Sequence, residues 1–402
     1  MNKPALVLMA LPPEIIVGIL SMLRTRTIIT CRCVCKQWHQ ILLSPEFARL
    51  HLSASTPGLL VLHTDPKWSE YSCNVVEHDD IQYGFPCDEV MKFDPRAFIS
   101  SPADYQIQTQ NSVHGFLCLR YLGKTDDVIY VCNPITRQYI SLPRLPRFVK
   151  YASFTHCGFG VSSITGQYKV VYMLQKSVHE AWHCARSENY ECEFYDYLVY
   201  TLGAAAGTSW RSIARNSPFE QAHLSFGVFL NGNLHGLVKN SPESTFSISC
   251  FDLEDESFKP FSPPPYPIKL VWFGSCDILW VLDDCLCICD SSIERGIVFW
   301  TMKEYGVQES WTRQFVLMDT NICPSIELFD VIYPIKGYEN GDILFSWQDM
   351  KLVFFYNKRT ETNHKVDIST HDFEPGGWFK ATPHNSSFLS LQSFDGEHVV
   401  SF

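Results

Sequence analysis

At 402 residues the chain exceeds the usual size of one compact domain, so a small unit beside a large one is the expected organisation. A composition of 46% apolar and 19% charged residues argues for a substantial core and against disorder, and a formal charge of -11 argues against nucleic acid or an anionic membrane as the main partner. No run of 18 apolar residues is present, so no membrane span is expected, and the 16 cysteines, with no secretory signal ahead of them, read as reduced core residues of a cytoplasmic or nuclear protein. The charge is unevenly spread. Residues 1–50 carry six basic side chains (Lys3, Arg24, Arg26, Arg32, Lys36, Arg49) against Glu14 and Glu46, a net of +4, which leaves -15 for the remainder. A basic module suits an acidic partner, although a solvated helix face would read the same way.

Residues 11–50 read as helices. Pro12 and Pro13 suit a first helical turn, and Ile15, Ile16, Ile19, Leu20 and Leu23 follow at helical spacing. Ile28, Ile29, Val34, Trp38, Ile41 and Leu42 predict one or two further helices, and Ser44-Pro45-Glu46 reads as an N-cap with proline at the first helical position. A unit of about 40 residues cannot bury so many large apolar groups within itself. It needs a partner, which could be the rest of the chain, with the helices as a lid. The residues point elsewhere: Leu11-Pro12-x-Glu14-Ile15 followed by Arg32-Cys33-Val34-Cys35-Lys36-x-Trp38 closely resembles the F-box, the helical module that docks substrate receptors on the Skp-type adaptor of SCF ubiquitin ligases. The resemblance implies that Leu11, Pro12, Glu14, Ile15, Ile19, Leu20, Val34, Cys35 and Trp38 form the adaptor-binding set, with cullin reached through the adaptor.

From about residue 53 the texture changes to short apolar runs, many aromatics and frequent Gly, Pro, Asn and Asp, a β pattern. Asn231-Gly232 is a strong hairpin signal, because type I′ turns need two residues that tolerate positive φ, and Asn340-Gly341 repeats it. A loose repeat runs from an apolar strand through a polar turn into another strand. Aligned at Asn133, Leu202, Asp252, Met302 and Asn357, it has spacings of 69, 50, 50 and 55 residues. A period near 50 predicts an all-β kelch-like propeller of about six blades, closed by terminal strands near Leu59–His63 and Phe388–Leu391; a two-sheet sandwich is the alternative. The phrases Val113-His-Gly-Phe-Leu-Cys-Leu, Cys132-Asn-Pro-Ile-Thr-Arg-Gln, Gly158-Phe-Gly and Tyr168-Lys-Val-Val resemble the F-box-associated domain of plant F-box proteins. The expected fold is therefore an α+β multidomain chain, with all-α F-box helices over residues 1–50 and an all-β propeller over residues 53–402.

The sharpest catalytic rival is His179-Glu180-Ala181-Trp182-His183, an H-E-x-x-H match that on a helix would hold zinc with Glu180 as general base. It sits in a polar stretch between two β runs, with no amphipathic helix to hold it and no third ligand in a plausible frame. Cys285-x-Cys287-x-Cys289 places three thiols on one face of a strand and reads as packed core, and Cys31 and Cys35 are expected to share a helical face. Gly158-Phe-Gly160 lacks the third glycine of a dinucleotide site. Trp210, Trp300 and Trp311 recur at one place in the repeat and read as packing.

The expectation is a non-catalytic substrate receptor of an SCF-type ubiquitin ligase, without cofactor or metal, with a protein substrate of unknown identity. The alternatives are a zinc peptidase using His179, Glu180 and His183, and an F-box scaffold outside any ligase. The longest departure from the repeat, Gln175 to Asp196, carries His, Trp, Tyr and Arg and is the expected substrate loop, with Pro263 to Pro267 as a second choice.

Overall fold

The computed structural model describes residues 11–65, 67, 70–77, 89–99, 105–123, 127–145, 156–176, 194–204, 209–213, 223–240, 245–265, 279–290, 296–317, 332–347, 352–366 and 379–402. Four helices come first: α1 (Pro13–Ser21), α2 (Thr25–Cys31), α3 (Lys36–Leu42) and α4 (Pro45–Ala54). Because α4 runs to Ala54 and the first strand opens at Gly58, the boundary between the two units falls at residues 55–57, a few residues beyond the one expected.

Six antiparallel sheets follow, the blades of a propeller. Blade I joins β1 (Gly58–Thr64), β2 (Tyr71–Val76) and β3 (Glu89–Phe93) to β24 (Phe379–His384). Blade II holds β4 (Tyr105–Val113), β5 (Phe116–Gly123), β6 (Asp127–Asn133) and β7 (Gln138–Ser141), extended by β25 (Val399–Ser401). Blade III is β8 (His156–Val161), β9 (Tyr168–Lys176), β10 (Phe194–Thr201) and β11 (Arg211–Ile213); blade IV is β12 (His223–Leu230), β13 (Asn233–Asn240), β14 (Thr245–Asp252) and β15 (Ser257–Phe261). Blade V is β16 (Leu279–Leu282), β17 (Cys285–Asp290), β18 (Gly296–Met302) and β19 (Trp311–Leu317); blade VI is β20 (Ile332–Gly337), β21 (Ile343–Trp347), β22 (Leu352–Asn357) and β23 (Thr362–Val366). The innermost strands β24, β4, β8, β12, β16 and β20 lie side by side in a ring.

The ring closes where β24, late in the chain, pairs with β1, early in it, in the register Leu60 opposite Thr382. Phe388–Leu391 is therefore not the closing strand. Phe388 is buried beneath the helices, and Leu391–Ser393 is a single 3-10 turn.

The repeat has a local cause. Its aligned positions end the third strand of blades II, IV, V and VI and directly follow it in blade III. In three of them the side-chain oxygen turns the chain: Asn133 Oδ1 accepts from the amides of Ile135 (2.9 Å) and Thr136, Asp252 Oδ1 from Glu254 (2.8 Å) and Asp255, and Asn357 Oδ1 from Arg359 and Thr360 (3.0 Å). Four residues on, Arg137, Glu256, Gly306 and Glu361 all take positive φ, at 54°, 53°, 80° and 55°. The hairpin expected at Asn231-Gly232 is present, with φ of 51° and 75° in a two-residue turn between β12 and β13. Asn340-Gly341 differs. It sits in a five-residue connection in which the Gly341 amide bonds the Tyr338 carbonyl at 2.8 Å, and only Gly341 has positive φ.

The core lies between blades. Cys287 and Cys289 are buried with Phe299 and Phe345 as part of a packed cluster. Trp300 and Trp311 are buried in another cluster, and the Trp210 indole donates to the Pro143 carbonyl at 2.7 Å, so these tryptophans pack the blades. Gly158 serves close approach: a Cβ there would meet the Gly227 Cα at 2.9 Å, where β8 and β12 of neighbouring blades touch.

Strands alternate in direction within each blade. First-to-second and third-to-fourth turns therefore share one face of the ring, here the turn face, and the other connections share the far face. Contacts between turns of different blades agree with this: the Thr165 hydroxyl bonds Glu254 at 3.0 Å, and the Gly337 amide bonds Asp283 at 3.0 Å. Gly58 lies opposite His384, so the helices enter β1 on the turn face.

Candidate functional site

The helical module is built as its caps dictate. The Pro12 carbonyl accepts from the amides of Ile15 (3.0 Å) and Ile16 (3.2 Å), Pro13 occupies the first helical position, and the exposed Glu14 meets the positive end of α1. The Ser44 hydroxyl accepts from the Phe47 amide at 3.2 Å and starts α4. Cys35 has extended backbone, and its sulfur accepts from the Trp38 amide at 3.5 Å, so it caps α3. Cys31 ends α2, so the two cysteines lie on different helices and share no face.

Helix α1 has two apolar faces. Ile16 and Leu20 point inward, onto Ile28, Leu42, Phe47 and Ala48. Ile15, Ile19 and Met22, spaced i, i+4 and i+7, form a stripe on the other side that stays 50%, 40% and 76% exposed. Val34 is 54% exposed at the α2–α3 junction. Arg24, Arg26 and Lys36 are exposed on the same module.

The candidate residues thus separate. Pro12, Glu14, Ile15, Ile19 and Val34 are exposed and able to meet a partner; Leu11, Cys35 and Trp38 are half-buried. Leu20 is only 2% exposed and belongs to the interior of the module, so its expected place on the docking face is corrected: one residue beyond Ile19, the helix turns it by about 100°, off the exposed stripe and into the core. Met22, which continues the exposed stripe, was not in the expected set. Its i+7 spacing from Ile15 was the available signal.

The module is also docked on its own propeller. Phe388 and Ile135 join its core, with Val90 and Met91 against it. The Phe388 ring meets Phe47 at 5.7 Å and His51 at 5.1 Å, and the Arg32 guanidinium lies 4.8 Å above it. Burial lowers the Arg32 pKa and holds His51 at about 4, against a bond to the Leu23 backbone that raises it. The helical module is therefore seated on the propeller by one face and open on the other.

His179, Glu180 and His183, and the substrate-loop stretch 177–193, lie outside the described residues. Among the described residues no group of three or more His, Cys, Asp or Glu is placed to hold a metal ion, and no helix is long and apolar enough to cross a membrane.

Comparison with known proteins agrees with this architecture. A family model described as F-box associated beta propeller domain matches residues 86–387, and one described as F-box-like matches residues 8–52. Among curated Arabidopsis thaliana proteins, F-box protein At3g07870 is 27% identical, over 86% of this chain and 85% of its own length. Putative F-box protein At1g46840 is 30% identical, over 94% of this chain and 75% of its own. F-box protein CPR1 is 25% identical, over 86% of this chain and 81% of its own. An F-box-like helical module seated on a six-bladed propeller, with a family match spanning most of the chain, means that this protein belongs to the plant-type F-box proteins with an F-box-associated β-propeller domain.

Proposed function

We propose that this protein is the substrate-recognition subunit of an SCF-type ubiquitin ligase, acting in the cytoplasm or nucleus. Its F-box binds a Skp-type adaptor and through it cullin, and its propeller holds a protein substrate. The receptor supplies no catalytic residue. Holding a substrate lysine near a charged thioester raises its effective concentration, which is the whole of its contribution to the rate.

One observation carries this reading: the outward stripe of Ile15, Ile19 and Met22, left exposed although the opposite side of the same helix is fully packed. Burying such side chains against a partner stabilises by about 1.5–3 kcal/mol each when complete, enough for a few residues to dominate docking. The arrangement also separates tasks. The helices sit on the turn face, whereas β9 ends and β10 begins on the far face.

The test is capture of a purified Skp-type adaptor, and of cullin in its presence, by wild type and by Ile15→Asp/Ile19→Asp. The double variant should lose the adaptor with its melting temperature unchanged. Equal capture would overturn the proposal, and adaptor capture without cullin would leave an F-box scaffold outside the ligase. Replacing residues 177–190 with a Gly/Ser linker should keep adaptor binding and weaken substrate capture.

A further inference from the structure

Residues 385–402 leave the closing strand and cross the turn face as a strap. Phe388 passes under the helical module, and Leu391 enters the core between blades II and III. The Phe394 ring packs on Tyr168 at 5.5 Å, and Glu397 accepts from the Tyr200 hydroxyl at 2.9 Å and the Gly203 amide at 3.1 Å. The strap ends by pairing β25 with β7, with the Phe402 ring 4.8 Å from that of Phe98.

One side chain of blade II brackets Phe388 directly, and Gln138 of the same blade accepts from the Leu391 amide at 3.0 Å. The Asn133 amide nitrogen donates to the carbonyls of Ser387 at 3.0 Å and Leu389 at 2.8 Å, the two residues that flank Phe388. Asn133 is fully buried. The equivalent turns show that this is an added task. Asp252 and Asn357 use their Oδ1 for the same turn, but Asp252 has no nitrogen to donate and Asn357 directs its own to Asp342. The turn alone needs only the acceptor, so the donor at position 133 is free to hold the strap.

We infer that Asn133 and Phe388 are positioning residues that seat the F-box on the propeller, and that seating requires ring closure. The strap starts at residue 385, immediately after β24, and pairing with β1 sets β24 in the ring with its end on the turn face. Until that pairing forms, Ser387 and Leu389 are not brought to Asn133, and Phe388 is not under the helices. A propeller that fails to close therefore leaves the F-box unseated, with its docking stripe no longer fixed relative to the far face. This consequence for presentation rests on the adaptor-binding reading above; the seating itself does not.

The test is hydrogen exchange on the full chain for wild type, Asn133→Asp and Phe388→Ala, with adaptor affinity measured in parallel. Asn133→Asp keeps the acceptor that the turn needs and replaces the donor by a carboxyl oxygen that faces the carbonyls of Ser387 and Leu389 and repels them. Both variants should exchange amides of α4 and of residues 387–391 at least about tenfold faster, with blades IV and V unchanged and adaptor affinity within about twofold. Phe388→Leu, which keeps the apolar fill without the ring, should give intermediate protection. Wild-type protection in both Asn133→Asp and Phe388→Ala would overturn the inference. So would a parallel loss of adaptor affinity, since these residues would then serve the folding of the module rather than its seating. If wild type binds no adaptor, the functional proposal fails while the exchange comparison still decides the seating.

Discussion

Trp280 on β16 and Tyr333 on β20 stack ring on ring, with centroids 3.8 Å apart and planes within 9° of parallel. The Tyr333 hydroxyl donates to the Ala381 carbonyl at 2.8 Å and accepts from the Ala381 amide at 3.2 Å, so one buried side chain ties blades V and VI to the closing strand β24. Tyr333→Phe keeps the stack and removes both bonds from a fully buried site. It should cost about 1–3 kcal/mol, read as a lower thermal midpoint, and a midpoint equal to wild type would show that the hydroxyl adds nothing to closure. Cutting the chain after residue 378 removes β24 altogether and should unfold all six blades together.

The connection between β16 and β17 is a two-residue turn in which Asp283 and Asp284 both take positive φ, at 48° and 56°. The geometry is that of a type I′ turn without its usual glycine. Asp283 is committed, because its carboxylate accepts from the Gly337 amide of blade VI at 3.0 Å. Asp284 is exposed, so Asp284→Gly should relieve the left-handed strain at little cost and stabilise by a few tenths to about 1 kcal/mol. A lowered midpoint in chemical denaturation would refute this.

These two sites show what could be read from the sequence and what could not. Asn231-Gly232 announces its turn because its residues are the usual ones, whereas Asp283-Asp284 makes the same turn with residues that more often mark other loops. The helices were legible because Pro12, Pro13, Ser44 and Pro45 are local capping signals. The repeat was legible because Asn133, Asp252 and Asn357 each fold their own turn. Long-range pairing leaves no such mark. The apolar run from Phe388 to Leu391 looks like a strand, but its side chains are used against Phe47 and His51, more than 300 positions away in the chain. The same remoteness hid the docking of the module on Ile135.

Three histidines set a pH window for stability. His51, His235 and His384 are buried, and burial holds each at about 4, below the ordinary 6.5, with backbone bonds to Leu23 and Val228 opposing the shift in the first two. Between pH 6.5 and 4 the unfolded chain binds these protons and the folded chain does not. Their stabilising contribution is therefore complete above 6.5 and is lost as pH falls toward 4, by about 1.4 kcal/mol per pH unit for each histidine at most. Below that, Asp252 and Glu256 extend the loss. Burial raises their pKa, but bonds from Lys259 to Asp252 and from Arg211 and Lys169 to Glu256 outweigh it and hold both below the usual carboxylate values. Thermal midpoints should be flat from pH 7 to 8 and fall from 6.5 downward. His384→Gln should flatten that fall, and an unchanged slope in the variant would remove His384 from the account.

Blade II holds a buried ion pair, also bonded by a side chain of blade III, whose energetics can be separated from its geometry. The Arg120 Nη2 lies 2.5 Å from the Asp127 Oδ2, with side chains 4% and 10% exposed. The Tyr172 hydroxyl from β9 donates to the same oxygen at 2.5 Å, and the guanidinium lies 5.1 Å from the centre of the Tyr172 ring. Asp127→Asn keeps an acceptor in nearly the same shape but removes the negative charge set against the buried arginine. That should cost about 3–5 kcal/mol, a large part of a typical folding free energy of about 5–15 kcal/mol. Removing both charges in Arg120→Met/Asp127→Leu takes away the attraction and the desolvation penalty together, and should leave stability near wild type. The exposed pair Arg49–Glu46, 3.6 Å apart with side chains 66% and 70% exposed, is the control: Glu46→Gln should change stability by less than about 1 kcal/mol. Urea denaturation of the three variants distinguishes the cases. A double variant as unstable as Asp127→Asn would mean that the pair contributes net stability to the junction between the blades, and is not merely intolerant of being broken.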